Sequence, residues 1–325
     1  MTTPQSNRDS SSSPEETNHC SSPTRLFSVV IPCYNYSHTL KRSVDSVLNQ
    51  SFEDYELLII NDGSSDNTEA VISDLKNSYP NAFQAITQSN RGLAATRNRG
   101  ISETSGQYLI FLDADDELAE NALKSLCQTI QSNPEVRMVV GAHISIEPDG
   151  KERFRPRPVL PEDSASLFKM YLLQDELPIA NGATAMHREI FRHYQYPVHF
   201  RCVEDIPMFA YVLANYSCLS LNQPIAKIHK HDDSMRNDVS LDLSVGLELV
   251  NEVFCSKRLS SEFMALRETY ETRRLLSIFR SLFVAGDYKH ALEYYWRAAK
   301  QSPAAAFELS YLRKAMKALL FSLRK

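Results

Sequence analysis

Asp113, Asp115 and Asp116 follow directly on an apolar run from Tyr108 to Leu112. A short apolar run of this kind predicts a fully buried strand. Side chains alternate along extended backbone, so Asp113 and Asp115 are expected to point the same way. Like charges this close repel, and each raises the pKa of the other. A divalent cation relieves the conflict. Carboxylate oxygens are hard ligands that suit Mg²⁺ or Mn²⁺, and these ions also bind phosphate oxygens. The residues therefore point to a metal and diphosphate site at the carboxyl end of a central strand. The alternative is a solvated acidic turn that caps a helix starting near Leu118, because acids favour helix N-termini. The buried strand in front of the acids favours the metal.

The elements around these acids repeat a pattern. Leu26–Ile31 reads as a first strand, broken by Pro32-Cys33-Tyr34-Asn35, and Ser37 suits the start of a helix. Tyr55–Ile60 is a second strand and Asn61–Asp66 a turn-rich loop, followed by a helix over Thr68–Lys76. Phe83–Thr87 is a third strand, Leu93–Glu103 a helix, and Val136–Gly141 a strand after the helix that follows the acids. Strands alternating with helices predict a doubly wound, Rossmann-like α/β fold with a mostly parallel sheet. Such sheets bind ligands beyond the carboxyl ends of their strands. The loops at Tyr34, Asp62 and Asp113 all sit there, so three polar loops converge on one cleft. Neither a G-x-G-x-x-G after the first strand nor a P-loop motif occurs. From Ala142 to His229 the pattern is less regular. Lys151–Arg157 reads as a basic surface loop, Asn181–Met186 as a strand of small residues, and Val203-Glu204-Asp205 as the opening of a helix. Residues 245–325 read as helices with short connections, and Gly286-Asp287-Tyr288 marks the turn of a helical hairpin.

Composition narrows the class. The 325 residues carry a net charge of −5, which gives no basic footprint for nucleic acid. Six cysteines are scattered without a C-x-x-C pair, as in a cytoplasmic enzyme with reduced thiols. No apolar run is long enough for a transmembrane helix. Residues 1–24 are rich in Ser, Thr, Pro and Asn and are expected to be a disordered tail.

Four motifs stand in order: Val29-Val30-Ile31-Pro32-Cys33-Tyr34-Asn35, Asn61-Asp62-Gly63-Ser64-Ser65-Asp66-Asn67-Thr68, Arg97-Asn98-Arg99-Gly100 and Leu112-Asp113-Ala114-Asp115-Asp116. In this order and spacing they resemble the family-2 glycosyltransferases, over about residues 26–235. The resemblance implies a GT-A fold and inverting transfer from a nucleotide-sugar donor, UDP-linked in the broad case, to a glycan or lipid-linked acceptor in polysaccharide or glycolipid synthesis. It places Pro32, Tyr34, Asn35 and Asp62 at the nucleoside, Arg97 near the donor, Asp113 toward the ribose and Asp115 on a Mn or Mg ion. Glu204-Asp205 resembles the family's acidic pair, with Asp205 as the base. His231-Asp232-Asp233-Ser234 resembles the His-x-x-Ser segment over the diphosphate. The implied organisation is a tail at 1–24, a GT-A domain at 25–240 and a helical region at 241–325.

Two rivals are a nucleotidyltransferase and a non-catalytic binding module. The first usually carries a Gly-rich basic loop after its first strand, and Pro32-Cys33-Tyr34-Asn35 is not one. Intact Asp115 and Asp205 count against the second. Near the C-terminus, Leu312, Ala315, Met316, Leu319, Leu320 and Leu323 share one helical face, with Arg313, Lys314, Lys317, Arg324 and Lys325 opposite. This reads first as a helix packed on the domain with a solvated basic side, and second as a peripheral contact with an anionic membrane.

Overall fold

The computed structural model describes residues 25–231 and 245–322. The N-terminal tail, Asp232-Asp233-Ser234, the boundary at 240/241, and Leu323 to Lys325 lie outside the described residues.

One nine-stranded sheet organises the described chain. Its strands are β1 (Phe27–Cys33), β2 (Tyr55–Asn61), β3 (Gln84–Thr87), β4 (Tyr108–Phe111), β5 (Glu117–Leu118), β6 (Met138–Ile146), β7 (Glu152–Arg155), β8 (Thr184–His187) and β9 (Cys218–His229). Their order is β3-β2-β1-β4-β8-β6-β9-β5, with β7 paired to β6. β3, β2, β1 and β4 are all parallel. Helices α1 (Ser37–Leu48), α2 (Thr68–Ser78) and α3 (Leu93–Glu103) make their crossovers. β8 then lies antiparallel between β4 and β6, while β6 and β9 are parallel. The sheet is thus mixed and mostly parallel, and the irregular sequence after Ala142 reflects the change of direction at β8.

Alternate side chains of the central strands enter two cores, as period-two alternation requires. Val29, Ile31, Leu57, Ile59 and Ile110 face one, together with α1, α2 and α4 (Ala122–Ser132). Val30, Leu58, Ile60, Leu109 and Phe111 face the other, with α3, α6 (Ile190–His193) and α7 (Asp205–Asn215). A third core joins α5 (Ser164–Leu172) and α7 to α8 (Glu248–Val253) and α9 (Ser261–Met264). A fourth unites the helical hairpin α10 (Arg267–Val284) and α11 (Tyr288–Gln301) with α12 (Pro303–Ala306) and α13 (Leu309–Ser322). The hairpin turns at Gly286, whose φ of 79° suits glycine, and Asp287 accepts a hydrogen bond from the amide of His290.

Four expectations change. Pro32 does not break β1, which runs through Cys33. Val30 accepts a bond from Leu112 on the β4 side and Cys33 one from Asp62 on the β2 side. Pro32 therefore faces the β4 side, where β4 has already ended, and its missing N–H costs no ladder bond. The helix after the acids starts at Ala122, not near Leu118, because Glu117–Leu118 forms β5 against β9. The three acids therefore cap no helix. Lys151–Arg157 is not a plain loop but contains β7. Asn181–Ala183 is a 3-10 turn, and the small-residue strand begins only at Thr184.

Two glycines allow close approach of α3 and of the chain before β4 to β1. A Cβ on Gly100 would stand 2.5 Å from Val30 Cγ1, so α3 packs tightly on β1. A Cβ on Gly106 would stand 2.6 Å from the Phe27 carbonyl carbon and the Ser28 nitrogen. The Gly106 amide also donates to Ser28 Oγ and Glu56 Oε1. Gly106→Ala should therefore cost about 1–3 kcal/mol. Urea unfolding is the check, and an unchanged midpoint would mean that the backbone there yields freely.

Candidate active site

The first two loops at the strand ends are tied to each other. Asn35, at φ 61°, donates its amide to Ser64 Oγ at 2.9 Å and accepts from the Ser65 amide at 2.8 Å. The Ser37 amide donates to Asp66 at 3.0 Å, and Thr68 donates to the same carboxylate through N–H and hydroxyl. Burial opposes the charge on Asp66, but these donors win and hold its carboxyl down at about 2. Tyr34 stands on this rim with 46% of its surface exposed. Pro32, two residues earlier, is buried.

Asp62 is buried and accepts three bonds, from Gln88 Nε2, the Arg91 amide and the Gly92 amide at 2.7–2.9 Å. Gly92 has φ 85° and begins α3, so Asp62 fixes the entry to the helix that carries Arg97. An ionised carboxylate with three donors keeps room for about one more.

Arg97 is 3% exposed. Its Nη1 donates to Glu204 Oε1 at 2.9 Å and its Nη2 to Asp113 Oδ1 at 3.1 Å. Its guanidinium also lies 5.4 Å from the centre of the Tyr196 ring. Burial works against the cation, but Asp113 and Glu204 outweigh it and hold Arg97 above its ordinary pKa, with Asp205 adding to the effect. Tyr196 in turn donates to Asn181 Oδ1 at 2.7 Å, and Asn98 holds the Tyr196 backbone from both sides. Two buried atoms of this cluster, Arg97 Nε and Glu204 Oε2, make no hydrogen bond.

The acids do not lie on an extended segment. The Asp116 amide donates to the Asp113 carbonyl at 3.0 Å, which closes a turn over 113–116. The turn sends the carboxylates to different partners. Asp113 meets Arg97, and Asp115 Oδ2 meets His231 Nε2 at 2.6 Å. Asp116 is buried and accepts from the His229 amide at 2.9 Å. Enclosure pushes the Asp113 carboxyl up even though 41% of its side chain is exposed; Arg97 pulls it back and Asp115 pushes it further up. Burial, with Asp113 and Asp115 nearby, pushes Asp116 well up.

A clasp behind the turn has no signal in the sequence pattern. Arg42 on α1 donates to the Asp115 carbonyl at 2.5 Å and lies 3.4 Å from Glu117. His229 at the end of β9 meets Glu117 at 2.7 Å. These contacts place His231 beside Asp115. Glu204 precedes α7, and Asp205 is its first residue. Asp205 is thus next to a carboxylate that Arg97 holds.

Among the described residues no group of three or more His, Cys, Asp or Glu is arranged as a complete metal shell. The donor set fits an ion that keeps substrate oxygens and waters in its shell. Mg²⁺ and Mn²⁺ are commonly held by one or two carboxylates plus phosphate. Asp115 and Asp113 are oxygen donors close enough that the Asp115 charge pushes the Asp113 carboxyl up, a crowding that a cation would relieve.

Asp116→Asn separates the roles of the acids. Asparagine keeps an acceptor for the His229 amide and removes a buried charge crowded by two others. The variant should melt at pH 7 no lower than the parent, and higher by up to about 2 kcal/mol of stability. A clear loss of stability would show that the Asp116 charge itself holds the turn.

Comparison with known proteins agrees with this fold. The family model described as "Glycosyl transferase family 2" matches residues 28–195, just over half of the chain. The minor teichoic acid biosynthesis protein GgaA of Bacillus subtilis is 38% identical over 120 residues, 35% of this chain and 27% of that protein. The glycosyltransferase GlyG of Streptococcus pneumoniae is 27% identical over 284 residues, 84% of this chain and 90% of that protein. The chain thus spans well under half the length of some curated relatives and most of another. The crystal structure of S. aureus TarS 1–349 superposes with a TM-score of 0.61 at 16% identity, covering 86% of this chain and 82% of that one. The same TarS fragment has been solved with UDP-GlcNAc, at a TM-score of 0.58 and 16% identity, covering 90% of this chain and 79% of that one. The fold is that of GT-A glycosyltransferases, and the chain belongs to glycosyl transferase family 2.

Proposed function

We propose that this chain is an inverting transferase that moves a sugar from a UDP-linked donor to an acceptor hydroxyl, in cell-wall or surface-polysaccharide synthesis. The observation that carries the reading is Arg97, held between Asp113 at the end of β4 and Glu204 at the start of α7. One buried cation thereby sets the distance between a donor-side carboxylate and the acid pair that opens toward the acceptor. Named relatives in teichoic acid and poly-β-1,6-N-acetylglucosamine synthesis support the setting. Structures of the TarS fragment with UDP and with UDP-GlcNAc support the donor class.

In this reading Tyr34 offers its exposed ring to the base, Asp62 accepts from the base, and Pro32 and Asn35 shape the loop beneath them. Asp113 faces the ribose. Asp115 would hold a divalent ion, with His231 beside it at the diphosphate. The ion, when bound, supplies positive charge to the departing diphosphate. Asp205 takes the proton of the acceptor hydroxyl as its oxygen bonds to the anomeric carbon. The bond from that carbon to the phosphate oxygen breaks, and its electron pair leaves with the nucleoside diphosphate. Arg97 holds Glu204 in place, which orients the adjacent Asp205. Residues 25–240 would carry this chemistry and 241–325 would form a helical appendage. Cys33, Cys127, Cys218 and Cys255 are free thiols, which supports work in a reducing compartment such as the cytoplasm.

Asp205→Asn should bind the donor with an affinity within about threefold of the parent and transfer sugar about 10²–10⁴ times more slowly, since only the transition state uses the base. Calorimetry and a product assay read the two effects apart. Equal losses in both would give Asp205 a structural role. Asp115→Asn should weaken Mn²⁺-dependent UDP binding by tenfold or more, about 1.4 kcal/mol. Parent-like binding would move the metal to another residue. A chain that binds UDP-sugars but transfers none to any hydroxyl acceptor would be a binding module.

A further inference from the structure

The helix α13 packs on the hairpin through its small residues. Ala315 and Ala318 are buried, and Tyr311 rests against Phe279. The larger apolar residues lie about a third of a turn further round the helix. Met316, Leu319 and Leu320 are 59%, 47% and 61% exposed, and Leu309 on the same stripe is exposed as well. The packing that the sequence pattern assigned to this stripe is made instead by alanines. A surface helix normally turns its largest apolar residues inward, so a stripe left outward needs another cover.

Arg313 and Lys317 border the stripe and are exposed. From residue 303 to 325 the chain has one acid, Glu308, against five basic residues, Arg313, Lys314, Lys317, Arg324 and Lys325. Phe307, just before the helix, is also exposed. We infer that the Leu309–Met316–Leu320 stripe of α13, flanked by Arg313 and Lys317, docks on an anionic lipid surface, with the helix lying in the headgroup layer. An apolar stripe beside basic residues is the pattern that such helices use. No helix among the described residues is long and apolar enough to cross a membrane, so the contact is peripheral. The charge pattern selects lipid over a second copy of the chain. A two-fold contact of this stripe on itself would bring Arg313 and Lys317 toward their own counterparts, whereas phosphate headgroups pair with them.

Flotation of the full chain with vesicles tests the inference. Vesicles with a third phosphatidylglycerol in phosphatidylcholine should carry up several times more protein than pure phosphatidylcholine at low salt, and 0.5 M salt should reverse most of this. Met316→Glu/Leu320→Glu should abolish flotation while keeping the melting temperature. Arg313→Glu/Lys317→Glu leaves the apolar stripe intact and should reduce binding by about tenfold or more. The wild-type arms need no variant, so a misfolded variant does not mask the answer. Absence of wild-type flotation overturns the inference, as does binding that neither double variant changes. A dimer in sedimentation velocity that Met316→Glu/Leu320→Glu dissolves would assign the stripe to a second copy and overturn it too.

Discussion

A single buried cation carries the architecture of the site. Arg97 sits between Asp113 and Glu204, at 3.1 and 2.9 Å, and its neighbours Asn98 and Tyr196 keep it there. Two carboxylates that approached one another in this cleft without it would repel. Removing one partner of a buried ion pair typically costs about 3–5 kcal/mol, because a charge is left without compensation. The pair is more than a local contact. It joins the end of β4, the start of α7 and the middle of α3, and Asp62 fixes the entry to that helix through the Gly92 amide. The strand ends, the Asp62 loop and the Glu204-Asp205 pair are thereby set in one frame.

The acid turn shows how the fold separates chemically similar groups. Three aspartates lie within four positions, yet each has a different environment. Asp113 is balanced by a cation, Asp115 stays at the cleft beside His231, and Asp116 is buried under the β9 strand. Asp113 keeps 41% of its side chain exposed, whereas Asp115 keeps 15% and has His231 against it. The closed turn across 113–116 achieves this separation, which an extended segment would not.

Much of this was readable from residue patterns. The apolar runs of β1, β2 and β4 have the length and branching of buried strands, and the polar loops that end them do meet at one edge. Leu93–Glu103 was legible as a helix and is α3. What escaped was long-range. β8 holds only four residues and pairs with β4 across more than seventy positions, so nothing local marks its direction. Glu117 meets His229 across 112 positions, and Arg42 reaches Asp115 across 73. Such contacts follow from the folded sheet, not from any window of sequence. Tyr196 has no sequence signal either, although its ring and hydroxyl hold Arg97 and Asn181 together. The C-terminal helix was legible as a helix, but its buried face was not, because small alanines rather than leucines make the packing.

The account rests on a direct displacement in which Asp205 takes the acceptor proton while the diphosphate departs from the opposite face. That geometry has one unavoidable consequence at the anomeric carbon. The decisive measurement is the anomeric configuration of the product formed from an α-linked UDP-sugar, read from the proton coupling at the new glycosidic bond by NMR. A β-linked product is the result the site predicts, and an α-linked product would contradict it.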